Sequence, residues 1–202
     1  MLDRTTTIEK FLEAAAAKQP TPGGGSAAAL AGALAAAMGE MVLNYSVGKK
    51  GLENHAEALK AGLGEFRRAR EIMLELMAED QSAYEAMAAA RKGADSATWE
   101  QTVMICTTVP QTIAGTAVAI LELADGLAEK VNQYLLADLS VCAELAMATT
   151  RAALYNVQAN LKEIGDVEQR RRIEQTSDRL LSRARGVIQS VVRRISQRAS
   201  SS

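Results

Sequence analysis

The sequence predicts an all-α protein, a multi-helix up-and-down bundle of long helices. Three observations carry this expectation. Aromatic residues are 3% of the 202 residues while hydrophobic residues are 48%, so the core must be built from Ala, Leu, Val, Ile and Met, which suits helices in close contact. The three prolines fall at two places, Pro20 with Pro22 and Pro110, and no glycine occurs between Gly126 and Gly165. With so few breakers the helices must be few and long. Apolar residues recur at three- and four-residue spacing, and no segment alternates as a strand would.

Thr6 and Glu9 have capping-box spacing, which predicts a first helix over about Thr7 to Lys18 with Ile8, Phe11 and Leu12 on its inner side. Gln19-Pro20-Thr21-Pro22 ends it. Gly23-Gly24-Gly25 then allows positive φ and close approach of another group, and Ser26 is a good N-cap for a second helix reaching about Ser46. Bare N–H groups at such a helix start attract anionic or electron-rich atoms. The loop is not a Walker A motif, since no Lys follows at the required spacing and no strand pattern precedes it. The second helix is small-sided all round, with Gly32 and Gly39 leaving room for another backbone. Such a helix belongs in the middle of a bundle or at a subunit contact.

Val47-Gly48-Lys49-Lys50-Gly51 is a basic loop framed by glycines. A third helix is expected from about Asn54 to Arg91, and its apolar stripe Phe66, Ala69, Met73, Leu76, Ala83, Met87 is completed by Asp80, which puts a carboxylate on the buried seam. Ser96 should cap a fourth helix that Pro110 kinks before it continues to about Lys130. A fifth covers about Tyr134 to Lys162. The sixth, about Asp166 to Gln197, has a basic excess, and residues 198–202 form a frayed tail. Nothing reads as a linker, so residues 1–202 are expected to form one domain.

A formal net charge of −1 gives no overall attraction to nucleic acid or to an anionic membrane, and the arginines of the last helix are interleaved with acids and lack an aromatic stacking platform. The uncharged run from Gly23 to Gly39 is interrupted by Glu40 short of a membrane span of about 20 residues. Cys106 and Cys142 lie among apolar residues and read as buried thiols of a reduced, cytoplasmic protein. The single histidine, His55, has no Cys or His partner at ligand spacing, so no metal is expected.

Taken in order, Pro22-Gly23-Gly24-Gly25-Ser26-Ala27-Ala28-Ala29, Gly48-Lys49-Lys50, Asp80 to Tyr84, Val109-Pro110, Asp138 and Asn156-Val157 closely resemble the cyclodeaminase/cyclohydrolase family. That family comprises the C-terminal domain of formiminotransferase-cyclodeaminase and the stand-alone methenyltetrahydrofolate cyclohydrolases, and the likeness spans roughly residues 6 to 165. Two departures stand out. Where the family has G-N-x-N-x-x-S-D, residues 131–138 read Val-Asn-Gln-Tyr-Leu-Leu-Ala-Asp, and Tyr84 replaces the usual Phe.

The resemblance implies a tetrahydrofolate derivative as substrate and no cofactor of the protein's own. One reading is hydrolysis of 5,10-methenyltetrahydrofolate to the 10-formyl form. The alternatives are cyclisation of 5-formiminotetrahydrofolate with loss of ammonia, or folate binding without turnover. Water adding to an electrophilic amidinium carbon needs a base and a group to manage the ring-nitrogen proton. Asp80 and Asp138, each among apolar residues, are the catalytic candidates. Each also has a structural reading, Asp80 as a hydrogen-bonded core carboxylate and Asp138 as a first-turn acid favoured by its helix dipole. The implied substrate contacts are Pro22, Gly23, Gly24, Gly25, Ser26, Tyr84 and Asn132, with Lys49 and Lys50 for the carboxylates of the folate tail. Asn156, eighteen residues beyond Asp138, lies about 27 Å from it along one helix, so the two cannot share a small site within that helix. A homodimer, with no nucleic-acid or membrane partner, completes the expectation.

Overall fold

The computed structural model describes residues 5–200. Its elements are α1 (Ile8–Ala16), α2 (Gly24–Asn44), α3 (Ala56–Ala90), α4 (Ser96–Leu127), α5 (Leu136–Leu161) and α6 (Val167–Ser200), with single 3₁₀ turns at Glu53–His55 and Gln133–Leu135. No strand occurs among the described residues. Helices α2, α3, α4 and α5 form an antiparallel ring in which each packs on the next and α5 closes back on α2, while α6 lies across α4 and α5. The starts of α2 and α4 therefore share one end of the bundle with the ends of α3 and α5. The other end gathers the close of α2 and α4 with the opening of α3 and α5.

Alanine and glycine let α2 sit deep in this ring. A Cβ on Gly32 would come within 2.7 Å of the Met73 thioether, and one on Gly62 within 2.6 Å of Leu127. The glycines of α2 thus make room for large side chains of α3, Met73 at Gly32 and Phe66 at Gly39, rather than for a backbone. Phe66, Met73, Leu76, Ala83 and Met87 are all buried, as the stripe requires. Glu40, the charge that interrupts α2, accepts hydrogen bonds from Arg67 (3.1 Å) and Arg70 (2.9 Å) of α3, and those guanidinium groups outweigh its burial and hold its carboxyl below the ordinary range. Both α2 and α4 are long and apolar enough to cross a membrane, and 56% of each apolar window is buried inside the bundle.

Several caps differ from the sequence expectation. Thr7, not Thr6, caps α1 by accepting from the Lys10 N–H, and Asp95, not Ser96, caps α4 by accepting from the Thr98 N–H. Gly23 is the N-cap of α2, which leaves Ser26 inside the first turn. Of the inner residues expected in α1, only Phe11 is buried; Ile8 and Leu12 are exposed, because α1 rides at the edge of the bundle with one contact face. Of the tail expected to fray over 198–202, residues 198–200 are helical, since α6 runs through Ser200, and 201–202 lie outside the described residues. Arg198 donates to the carbonyls of Ala128 and Val131 at the close of α4. Arg194 meets Asp125 at 3.1 Å and Arg183 meets Glu122. Part of the basic excess of α6 thus matches acids of α4.

Candidate active site

At the end of the bundle where α2 starts, the glycine turn meets two polar side chains from different helices. Gly23 has φ −104° and ψ −163°, an extended conformation open to any residue. None of Gly23, Gly24 and Gly25 takes positive φ, which among the described residues is confined to Gly48, Gly51 and Gly93. The glycines serve close approach. A Cβ on Gly25 would overlap the carboxylate of Asp80, and one on Gly24 would stand 3.0 Å from Oδ1 of Asn156.

Asp80 comes from the last third of α3 and caps α2 across the bundle. Ser26 Oγ donates to Asp80 Oδ2 at 2.8 Å and lies 3.3 Å from the Met77 carbonyl. Burial pushes the Asp80 carboxyl above its ordinary range, and the Ser26 hydroxyl and N–H, which favour the anion, offset only part of that push. The first intrahelical bond of α2 runs from the Ala27 N–H to the Gly23 carbonyl at 3.0 Å, so the N–H groups of Gly24 and Gly25 precede the helix ladder and point outward from its start. Tyr84, one turn beyond Asp80, is 41% exposed. Pro22 is buried behind the turn, and Thr21 donates to Glu85 at 3.2 Å.

The opposite wall belongs to α4 and α5. Cys106 of α4 is buried, and its thiol is pushed up to about 11 by burial and then by the charge of Asp80, which places it within electrostatic reach of that carboxylate. Asn156 donates Nδ2 to the Ala152 carbonyl at 2.9 Å, leaving Oδ1 toward Gly24. Asn160 donates to the Cys106 carbonyl at 2.7 Å. The role of Asn160 had a signal in the sequence, because Pro110 stands four residues after Cys106 and has no N–H to offer its carbonyl.

The remaining candidates lie elsewhere. Lys49 donates to Asn132 Oδ1 at 2.5 Å and stands 4.8 Å from the centroid of the Tyr134 ring, and Ser46 Oγ accepts from the Asn132 N–H at 2.9 Å. Lys49, Asn132 and Tyr134, with Lys50, Gln133 and Arg198, line a cleft of about 240 Å³ at the other end of the bundle. Asp138 is half-buried in the first turn of α5, at the same end of the bundle. Within one chain the two candidate acids, Asp80 and Asp138, lie at opposite ends of the bundle. Asn156 faces Gly24, and eighteen residues of α5 separate it from Asp138, so within one chain Asp138 lies about 27 Å from the Asp80 end. The larger clefts lie between α5 and α6 and between α3 and α4, and neither is lined by a candidate site residue. Among the described residues no group of three His, Cys, Asp or Glu could hold a metal ion.

Residues 7–179 match the family described as formiminotransferase-cyclodeaminase. The chain belongs to the formiminotransferase-cyclodeaminase family. It is 34% identical over 169 residues to the methenyltetrahydrofolate cyclohydrolase of Methylorubrum extorquens, covering 79% of this chain and 81% of that protein. It is 28% identical over 190 residues to the formimidoyltransferase-cyclodeaminase of Gallus gallus, 90% of this chain but 35% of that longer protein. The crystal structure of formiminotetrahydrofolate cyclodeaminase from Thermotoga maritima superposes with a TM-score of 0.92 at 26% identity, covering 96% of this chain and 97% of the other. The resemblance read from the ordered motifs is therefore correct, and this family member is an enzyme of the cyclohydrolase and cyclodeaminase kind.

Proposed function

We propose that this chain hydrolyses 5,10-methenyltetrahydrofolate to 10-formyltetrahydrofolate, with Asp80 as the general base. The observation that carries the reading is the Asp80 carboxylate, held by Ser26 against Gly25 and raised in pKa by burial, beside outward-facing N–H groups. A raised carboxylate is a stronger base near neutrality than an exposed one. Asp80 takes one proton from water as its oxygen bonds to the bridging carbon. The C–N5 bond then breaks, N5 takes a proton, and the hydroxyl left on carbon becomes the formyl carbonyl with net release of one proton. The N–H groups of Gly24 and Gly25 and the Asn156 carbonyl oxygen supply donors and an acceptor for the pterin side of the substrate. The test is the loss of methenyltetrahydrofolate absorbance with purified protein. Asp80→Asn should abolish turnover and keep the fold, and full activity in that variant refutes the assignment.

A second reading, cyclisation of 5-formiminotetrahydrofolate with ammonia loss, is supported by the name and the near-complete overlay of the Thermotoga maritima enzyme. Ammonia released from that substrate, with no effect on methenyltetrahydrofolate, would select it. Folate binding without turnover is favoured by the altered segment Val131 to Ala137, and would appear as bound folate with an unchanged rate in both assays.

The working unit in this proposal is a cytoplasmic homodimer whose two end clusters meet across the two-fold axis. Its support is a stripe along the outer face of α2, Ala27, Leu30, Leu34, Met38 and Met41, with Leu34 at the helix midpoint and 53% exposed. Antiparallel pairing of α2 about Leu34 sets Gly24 of one copy against Asn44 of the other. The Lys49, Lys50 and Asn132 cluster of one protomer then lies near the other protomer's Asp80, in reach of the folate tail. The two buried unpaired thiols suit a reducing compartment.

A further inference from the structure

We propose that Asn160 is a positioning residue: it supplies the hydrogen bond that Pro110 cannot make, and so fixes the α4 wall against which Asp80 works. The proposal rests on Asp80 as the working carboxylate, and its geometry is independent of which folate reaction is run.

In an uninterrupted helix the carbonyl of Cys106 would accept from the N–H of residue 110. Pro110 has none, and its ring crowds that carbonyl away from the helix axis. Helix α4 nevertheless continues through Pro110, which is buried. An orphaned buried carbonyl carries a desolvation cost, and here it is met from another helix, by Asn160 Nδ2 at 2.7 Å. The neighbouring turn is tied within α4, where Thr107 Oγ1 donates to the Val103 carbonyl at 2.8 Å.

Position decides what this bond does. Asn160 meets α4 at Cys106, whose thiol is pushed up first by burial and then by the Asp80 charge, and the Gly24 that Asn156 faces adjoins the Gly25 that abuts Asp80. One turn before Asn160 on the same face of α5, Asn156 stands over Gly24. The two asparagines thus join α5 to both other walls of the site, Asn156 to the start of α2 and Asn160 to the turn of α4 before Pro110. A change of α4 at Cys106 should therefore alter the packing beside Asp80 without touching substrate.

The experiment compares wild type, Asn160→Leu, Pro110→Ala and the double variant, each read within its own background. Pro110→Ala restores the N–H, so it should make Asn160 dispensable. In the wild-type background, Asn160→Leu should lower kcat at least about tenfold, a part of the roughly hundredfold loss that a one-ångström misplacement of a catalytic group can cause, with KM within about twofold. Alkylation of Cys106 by iodoacetamide, followed by mass spectrometry, should speed up at least about tenfold, as an opened helix turn exposes its thiol. Cys142, fully buried with its thiol pushed up to about 12, is the internal control and should stay slow. In the Pro110→Ala background both effects of Asn160→Leu should shrink to within about twofold, and a single variant that fails to fold should be recovered there.

Equal effects of Asn160→Leu in both backgrounds overturn the proposal, as does unchanged Cys106 alkylation. A rate loss that appears entirely in KM assigns Asn160 to substrate contact and overturns it too. If wild type proves inactive on every folate, the assignment of Asp80 falls while the thiol measurements still decide the bond between Asn160 and the Cys106 carbonyl.

Discussion

Replacing the three glycines of the turn one at a time by alanine separates close approach from backbone freedom. None of the three has positive φ, so no alanine is strained by its backbone, and the outcome depends on what each new methyl meets. At Gly23 the nearest atom is the Pro20 carbonyl oxygen at 3.8 Å, an ordinary contact. Gly23→Ala should change stability by less than about 1 kcal/mol, since the poorer N-cap is offset by the lower entropy of the unfolded chain. At Gly24 the methyl reaches Asn156 Oδ1 at 3.0 Å, which a small rotation of the amide relieves. At Gly25 it overlaps the Asp80 carboxylate, so Asp80 must leave Ser26. Loss of that charge-assisted bond costs about 1.5–3 kcal/mol, and the helix preference of Ala over Gly returns about 1 kcal/mol. The net loss is then about 0.5–2 kcal/mol, small enough for the protein to remain folded. Displacing the base should nonetheless lower kcat at least about a hundredfold. Thermal denaturation and the methenyltetrahydrofolate absorbance assay on the three variants should give the order Gly25, Gly24, Gly23 from worst to mildest in rate. A Gly25→Ala enzyme with wild-type kcat, or a Gly23→Ala enzyme equally impaired, refutes the argument.

Asp80→Asn should raise the melting temperature at pH 7 while removing activity. Burial raises the folded-state pKa of Asp80 above the ordinary 3.8, so the wild-type fold gains from the neutral acid at low pH and loses that gain as pH rises through the raised value. The advantage of Asn should therefore shrink as pH falls toward 3.8, and an advantage that is constant across pH contradicts the burial argument. Lys50→Ala should raise KM for polyglutamylated substrate about three- to tenfold with kcat unchanged, because Lys50 is the exposed cation of the cleft while Lys49 is already engaged by Asn132 and Tyr134; equal KM in low salt speaks against a tail site there. Leu34→Arg should convert a dimer to a monomer in light scattering and lower activity in parallel, whereas a dimer that persists with full activity excludes the α2 pairing.

The bundle was legible because helix boundaries follow from local chemistry: most starts fall within about two residues of a cap or breaker visible in the sequence, and the α3 stripe is buried as its spacing requires. Errors arose where two neighbours offer the same chemistry. Thr6 and Thr7 are both caps in principle, as are Asp95 and Ser96, and the choice turns on backbone angles that composition does not encode. Ile8 and Leu12 lie on the apolar side of α1 and still face outward, because a helical period gives the direction of a face but not whether anything covers it.

The two acids show the same limit at the site. Asp80 and Asp138 each sit among apolar residues, and in one dimension they are equivalent. What separates them is their distance from a helix end. Asp138 occupies the first turn of α5, where the dipole and the N–H groups of its own helix suit a carboxylate and no partner from elsewhere is needed. Asp80 lies 24 residues into α3, far from any stabilising terminus of that helix, so it must borrow one, and it borrows the start of α2 through Ser26. Gly25 is then the mark of that loan: a Cβ there would overlap the Asp80 carboxylate, so this helix start accepts the foreign acid only with a glycine at that position. A glycine-rich helix start and a mid-helix acid on an apolar stripe thus predict each other, and Asn160 with Pro110 forms a second pair of the same kind, a donor on one helix answering a donor missing from the next.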